Sequence, residues 1–278
     1  MSGTLFVVAT PIGNREDLSP RARQTLEHAD LIAAEDTRHT GRLLSHFGVK
    51  TPLFALHDHN EEQVVARLIE DLRSGKSVAL VSDAGTPLIS DPGYRLVAAA
   101  HAADIRVTPI AGPSAITAAL SAAGLPTDRY CFEGFLPAKK KARREQLAKL
   151  ASEQRSLVFF ESVHRIRDCL DDMVAAFGAG RHAFVGRELS KMHEQCVQAT
   201  LAELLAQVDE GDIPSKGEFV VIVSGNAETE SMSLDVDQML VDLAEHVPPK
   251  VAAKIAANAS GQSRNSLYQR LLTLHDRK

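Results

Sequence analysis

Ser77-Val78-Ala79-Leu80-Val81, followed without a break by Ser82-Asp83-Ala84-Gly85-Thr86-Pro87-Leu88-Ile89-Ser90-Asp91-Pro92-Gly93, decides how this chain is read. The first five residues form an apolar run of strand length, the pattern of a strand buried on both faces. The rest is a loop. Gly85 and Gly93 let backbone approach a ligand closely, and Asp83 can accept hydrogen bonds from a ligand amine or from backbone N–H groups. In an open α/β sheet, ligands bind beyond the carboxyl ends of the strands, where this loop sits.

Working outward, Leu5-Phe6-Val7-Val8-Ala9, Leu31-Ile32-Ala33-Ala34 and Arg106-Val107-Thr108-Pro109-Ile110 read as further strands. Ser19-Pro20 opens a helix running to about His28, and His57 to Arg73 is mostly helical. Strands separated by helical patterns predict a mostly parallel sheet covered on both faces. The loops Thr10-Pro11-Ile12-Gly13-Asn14 and Ala111-Gly112-Pro113-Ser114 fall at the same ends of their strands as the 82–93 loop. Together the three are expected to line one edge of the sheet as a cleft. A boundary is expected after Pro113, and Ser114 to Ala123 reads as a connecting helix. A second set of strands follows at Tyr130–Phe135, Ser156–Phe160, His182–Gly186 and Glu218–Val223. The expected organisation is an N-terminal α/β domain over 1–113, a second α/β domain over 114–226, a polar linker at Asn226–Ser231, and a helical tail over 234–278.

Composition excludes several classes. Of 278 residues, 44% are hydrophobic and 24% charged, as in a globular chain with a sizeable core. No apolar run reaches the ~20 residues of a membrane helix, and no signal segment is read at the N-terminus. Cys131, Cys169 and Cys196 make neither metal-ligand spacing nor a disulfide framework, so reduced thiols and a cytoplasmic location are expected. The net charge of −5 leaves nucleic-acid binding to local basic patches. The densest is Lys139-Lys140-Lys141-Ala142-Arg143-Arg144, at the expected hinge between domains. Lys139, Lys140, Lys141, Arg143 and Arg144 are candidate RNA contacts, the alternative being a solvated helix start. Neither a dinucleotide fingerprint nor a Walker pattern is present. His57, Asp58, His59 and Glu61 could ligate a metal, but their spacing suits a helix cap better, and no metal is expected.

These pieces, in this order, resemble the tetrapyrrole (precorrin/corrin) methylase superfamily, and within it the branch that methylates small-subunit ribosomal RNA. The likeness rests on 9–14, Ala33-Ala34-Glu35-Asp36-Thr37-Arg38-His39-Thr40, 54–61, 81–94, Phe132-Glu133-Gly134-Phe135-Leu136-Pro137, Phe160-Glu161-Ser162-Val163-His164-Arg165, Arg187-Glu188-Leu189-Ser190-Lys191 and Lys216-Gly217-Glu218. It covers roughly residues 4 to 225. It implies two α/β domains of the tetrapyrrole methylase type with a cleft between them, plus a small C-terminal helical segment. It also implies S-adenosylmethionine as cofactor, a homodimer, and methylation of a cytidine ribose 2′-hydroxyl. One departure separates the branches: the wider superfamily's first loop is G-x-G-P-G-D, whereas Thr10-Pro11-Ile12-Gly13-Asn14 lacks the acid. This argues against a tetrapyrrole substrate.

On that resemblance, Pro11, Asp83, Ala84, Gly85, Ile89, Ser114, Leu189 and Gly217 are the expected cofactor-binding residues. A ribose hydroxyl is a poor nucleophile, so a base or polarising group should help. Asp36, His57, Glu161 and Glu188 are candidates, with Lys191 as a polariser. The tail pattern, Lys250–Ala257 and Ser266–Leu272 about Ser260-Gly261-Gln262-Ser263, reads as helix-turn-helix or as a packing cap. Two other functions stay open at this stage: a methyltransferase acting on a tetrapyrrole or other small molecule, and a non-catalytic RNA-binding ligand sensor.

Overall fold

The computed structural model describes residues 2–57, 61–226 and 236–275, with the side chains of 61–63 and 275 outside that description. The chain forms two compact units, Met1–Gly225 and Asn226–Lys278.

The larger unit holds two five-stranded sheets. The first is built from β1 (Thr4–Val8), β2 (Leu31–Ala34), β3 (Leu53–Ala55), β4 (Val78–Val81) and β5 (Arg106–Ile110). They run parallel in the order β3-β2-β4-β1-β5. Between and after them lie α1 (Pro20–His28), α2 (Thr37–His46), α3 (Glu61–Arg73), α4 (Tyr94–Ala102) and α5 (Ala115–Ala122). Strand β4 shows why both faces are covered. Val78 and Leu80 pack into one core with Leu68 and Leu96, while Ala79 and Val81 pack into the opposite one with Leu26 and Ile32. Each such leucine, fully buried, contributes about 1.5–3 kcal/mol. Ser19 accepts from the Ala22 N–H and Pro20 takes the first turn, which fixes the start of α1.

Strands β4 and β1 are neighbours whose connections leave in opposite directions, β1 toward β2 and β4 toward β5. That divergence opens a crevice at their carboxyl ends.

The second sheet comprises β6 (Tyr130–Phe135), β7 (Ser156–Ser162), β8 (His182–Arg187), β9 (Gln195–Thr200) and β10 (Glu218–Val223). Its order is β6-β7-β10-β8-β9, with β6 and β7 parallel and the remaining pairs antiparallel. Helices α6 (Lys140–Leu150), α7 (Ile166–Phe177) and α8 (Leu201–Glu210) pack on one face around Phe159, Met173 and Leu204. Helix α5 covers the other face through Ile116 and Ala119, against Val158, Phe184 and Ile222. The connecting helix expected over 114–123 therefore serves as the lid of the second sheet.

The smaller unit consists of α9 (Val236–Ala244), α10 (Pro249–Ser260) and α11 (Arg264–His275) around Leu240, Leu267 and Leu271. Ala252, Ala253 and Ala256 are fully buried, and their small side chains let neighbouring helices approach α10. Gly261 ends α10 at φ +69°, a left-handed cap that reverses the chain into α11. The expected polar linker lies mostly outside the described residues.

Candidate active site

Three loops form the floor of a cleft of about 440 Å³ between the two sheets. The loops after β1 and β4 are joined by a reciprocal pair of backbone hydrogen bonds. The Thr10 N–H donates to the Gly85 carbonyl at 2.8 Å, and the Gly85 N–H donates back at 3.0 Å. The buried Thr10 hydroxyl adds a bond to the Ser82 carbonyl at 3.2 Å. The loop after β5 joins through Thr86, whose hydroxyl donates to the Pro113 carbonyl at 3.1 Å. Gly85 adopts φ +83°, and a Cβ there would lie 3.4 Å from Ile12. Leu88 and Ser90 also hold positive φ, at 73° and 68°. Non-glycine residues reach that region only when surrounding structure holds them there.

Acidic groups line this floor. Glu35 accepts from the Asp83 N–H at 3.3 Å, and Asp83 accepts from the Asp36 N–H at 3.1 Å. Burial, reinforced by the neighbouring Glu35 and Asp83 charges and opposed by a Ser82 hydrogen bond, pushes the Asp91 carboxyl up to about 6. The opposite wall comes from the second sheet, through Phe135, Phe160, Glu161, Gly186, Leu189 and Glu218.

Asp83, Ala84, Gly85, Ile89, Ser114 and Leu189, six of the residues expected to hold the cofactor, all line the cleft. Pro11 and Gly217 do not, but their neighbours Ile12 and Glu218 do. Gly217 has a different task. It sits at φ +91°, and a Cβ there would fall 2.4 Å from the Glu188 carboxyl group.

The five catalytic candidates separate. Glu161 lines the cleft with its side chain fully buried, its Oε1 accepting from the Ser162 N–H at 2.7 Å and its Oε2 3.4 Å from Arg165. Glu188 and Lys191 are not lining residues; they form a 2.8 Å ion pair, and Lys191 also reaches the cleft-lining Glu218 at 3.1 Å. Burial opposes both charges, but their mutual hydrogen bond wins. Glu188 is held below the ordinary carboxylate range and Lys191 above the ordinary ammonium range. Such a pair positions and polarises; it is a poor proton acceptor. Asp36 caps α2 and is gripped by the Arg38 side chain and N–H, which hold its carboxyl well below the usual range. It lies beside the cleft-lining Glu35 rather than in the cleft itself. His57 is not among the lining residues, and the neighbouring Asp58, His59 and Asn60 lie outside the described residues. Among the described residues, no group of three metal-ligating side chains comes together.

Sequence reasoning missed Glu35, Asp91, Phe135 and Phe160 as lining residues. Glu35, Phe135 and Phe160 sit near strand ends and Asp91 in the loop between β4 and α4, all in motifs already singled out.

The basic run begins α6. Lys139, Lys140, Lys141 and Arg144 are exposed. Arg143 is not: its guanidinium is buried and holds Asp172 at 2.7 Å. An RNA contact from Arg143 is therefore corrected, because its donors face the core of α6 and α7.

The family model for tetrapyrrole (corrin/porphyrin) methylases matches residues 4–205, and a model for an RsmI C-terminal HTH domain matches residues 230–275. The chain is 55% identical over 267 residues to a ribosomal RNA small subunit methyltransferase I of Xylella fastidiosa, covering 96% of this chain and 98% of that protein. It is 52% identical to the protein of that name from Escherichia coli O157:H7, covering 96% and 94%. In fold it is similar to the uroporphyrin-III C-methyl transferase of Thermus thermophilus complexed with S-adenyl homocysteine. There the TM-score is 0.55 at 18% identity, covering 80% of this chain and 97% of that one. The two sheets, the cleft between them and the near full-length likeness together place this chain in the tetrapyrrole (corrin/porphyrin) methylase family, in the branch of the small-subunit ribosomal RNA methyltransferases.

Proposed function

We propose that this protein transfers a methyl group from S-adenosylmethionine to small-subunit ribosomal RNA, at the 2′-hydroxyl of a cytidine ribose, and that it works as a cytoplasmic homodimer. The cleft carries the reading. It joins strapped backbone loops, a carboxylate-lined floor and an opposite wall that sets Phe135, Phe160 and Leu189 beside Glu161 and Glu218, at the sheet's switch point. These residues fit a cationic amino-acid nucleoside. Glu35, Asp83 and Asp91 supply negative charge toward an ammonium and a sulfonium, and Ile12 and Leu189 supply apolar surface for a ring. The relatives' printed name supports ribosomal RNA as the acceptor.

S-adenosylmethionine, when bound, supplies a methyl group on a positively charged sulfur that leaves readily. The chain's task is then alignment. Groups held within about 3–3.5 Å and in line gain several kcal/mol over free encounter. The Thr10–Gly85 strap and the positive-φ loop around Leu88 and Ser90 fix the floor. Glu161 is the candidate that can receive the hydroxyl proton within the cleft, and the Lys191–Glu188 pair, joined to the cleft-lining Glu218, can orient the ribose.

The test incubates the full chain with methyl-labelled S-adenosylmethionine and, in parallel, assembled small subunits, free small-subunit RNA and a tetrapyrrole. Label should enter the RNA-containing samples and appear, after nuclease digestion and mass spectrometry, as 2′-O-methylcytidine. Label only in the tetrapyrrole, or on a base instead of a ribose, refutes the proposal.

A further inference from the structure

Ile89 and Phe135, 39% and 55% exposed, are the two large apolar side chains that line the cleft and still face solvent. An exposed aromatic ring is costly to leave in water, and at a site it marks where an apolar ligand face docks. Phe135 is also held in place. Phe160 meets it edge-on at 5.6 Å between ring centres, and Phe132 meets Phe160 edge-on at 4.9 Å. The ring is therefore braced from within the sheet.

Chain direction adds charge to this surface. Phe135 ends β6, and Lys139, Lys140 and Lys141 follow, all exposed. Lys139 lies four positions after Phe135, a span of at most ~14 Å even if fully extended. An aromatic face with ammonium groups one short segment away matches single-stranded RNA, in which a base stacks and the adjoining phosphates pair with cations.

Resting on the RNA-methylation reading above, we propose that Phe135 is the stacking platform for the nucleobase of the methylated nucleotide, with Ile89 on the facing loop closing over the base edge. A ribose that enters the cleft brings its base out of its own stack, and an unstacked base needs a new flat partner.

Phe135→Ala, Phe135→Leu and Phe135→Tyr would be compared with the unaltered full chain in methyl transfer to small subunits. S-adenosyl homocysteine affinity would be read by calorimetry, and native mass by light scattering. Loss of a stacked base should lower kcat/KM for the RNA about 5- to 150-fold in Phe135→Ala. Phe135→Tyr should recover most of the activity and Phe135→Leu little, since only an aromatic ring offers a flat π face. S-adenosyl homocysteine affinity and native mass should stay unchanged. Four results would each overturn the proposal: unchanged kcat/KM in Phe135→Ala, equal recovery by leucine, a parallel loss of S-adenosyl homocysteine affinity (a face for the cofactor), or a fall in mass (a face between copies). Failure of the underlying reading looks different, because the unaltered chain would then transfer no methyl group to any RNA sample.

Discussion

Replacing Asp172 by alanine tests how the larger unit is held together beneath its basic surface. Asp172 is fully buried on α7. It accepts a hydrogen bond of 2.7 Å from the Arg143 Nε and one of 2.5 Å from the Arg144 Nε, and the Arg143 Nη2 is ion-paired with it at 2.7 Å. Arg144 is half exposed and can turn toward Asp171, 3.9 Å away. Arg143, 3% exposed, cannot, so alanine at 172 leaves a buried cation without its counter-ion. Stranding one partner of a buried pair costs about 3–5 kcal/mol. At about 2–4 °C per kcal/mol for a unit of this size, the melting temperature should fall by about 6–20 °C. The pair also gives a pH signature. Burial raises the Asp172 pKa, but the hydrogen bonds from Arg144 and Arg143 outweigh it and hold the group below its ordinary value. A carboxyl whose folded pKa is depressed contributes stability above the unfolded pKa, near 3.8, and loses it as pH falls through the folded value. The gap between parent and variant should therefore be full at neutral pH and close progressively below about pH 4. The assay is thermal unfolding followed by circular dichroism at pH 7 and pH 3. A variant melting within about 1 °C of the parent at pH 7 would refute the reasoning, as would a gap that widens in acid. Arg143→Met with Asp172→Leu should recover most of the loss, since two apolar groups replace the pair.

Asp91→Asn carries the opposite pH sign. The folded group binds its proton more tightly than the unfolded one, so Asp91 lowers stability progressively from about pH 4 to 6, and the asparagine variant should gain over the parent across that window in melts at pH 4 and pH 7.5. Gly217→Ala should push the Glu188 carboxyl off Lys191 and lower kcat for RNA methylation at least 10-fold, with the fold retained by circular dichroism; unchanged kcat would remove the ion pair from the mechanism. Deleting residues 230–278 should weaken RNA binding in a filter assay yet leave S-adenosyl homocysteine affinity intact, because the larger unit has its own cores and its own cleft. Equal RNA affinity would assign the tail to packing alone.

The first sheet was legible because its long strands are continuous apolar runs between helical patterns, as β1 and β4 show. β3 was not, since Leu53–Ala55 is three half-buried residues long, too short for any period to register. β9 was hidden for another reason: Gln195-Cys196-Val197-Gln198 exposes both a cysteine and a glutamine, as befits an edge strand. Strand direction in the second sheet depends on pairings between distant segments, which local pattern does not encode. The floor of the site was legible from its glycine loops, whereas Glu35, Asp91 and Phe135 gain meaning only when two sheets face each other. Arg143 could have been set apart by arithmetic. Leu147 lies one helical turn on, four residues away, and both are buried on the same stripe of α6.

The reciprocal bonds between Thr10 and Gly85 have a consequence for how the protein comes into being. They join points 75 residues apart, so they close only after β1 and β4 lie side by side. The facing wall arrives later still, with β10 ending at Val223. A chain emerging from the ribosome thus has no cofactor cleft until nearly the whole larger unit has been synthesised, and binding there reports completed folding. A ligand present at 100 times its dissociation constant would add about 2.7 kcal/mol to that finished state and nothing to any shorter precursor.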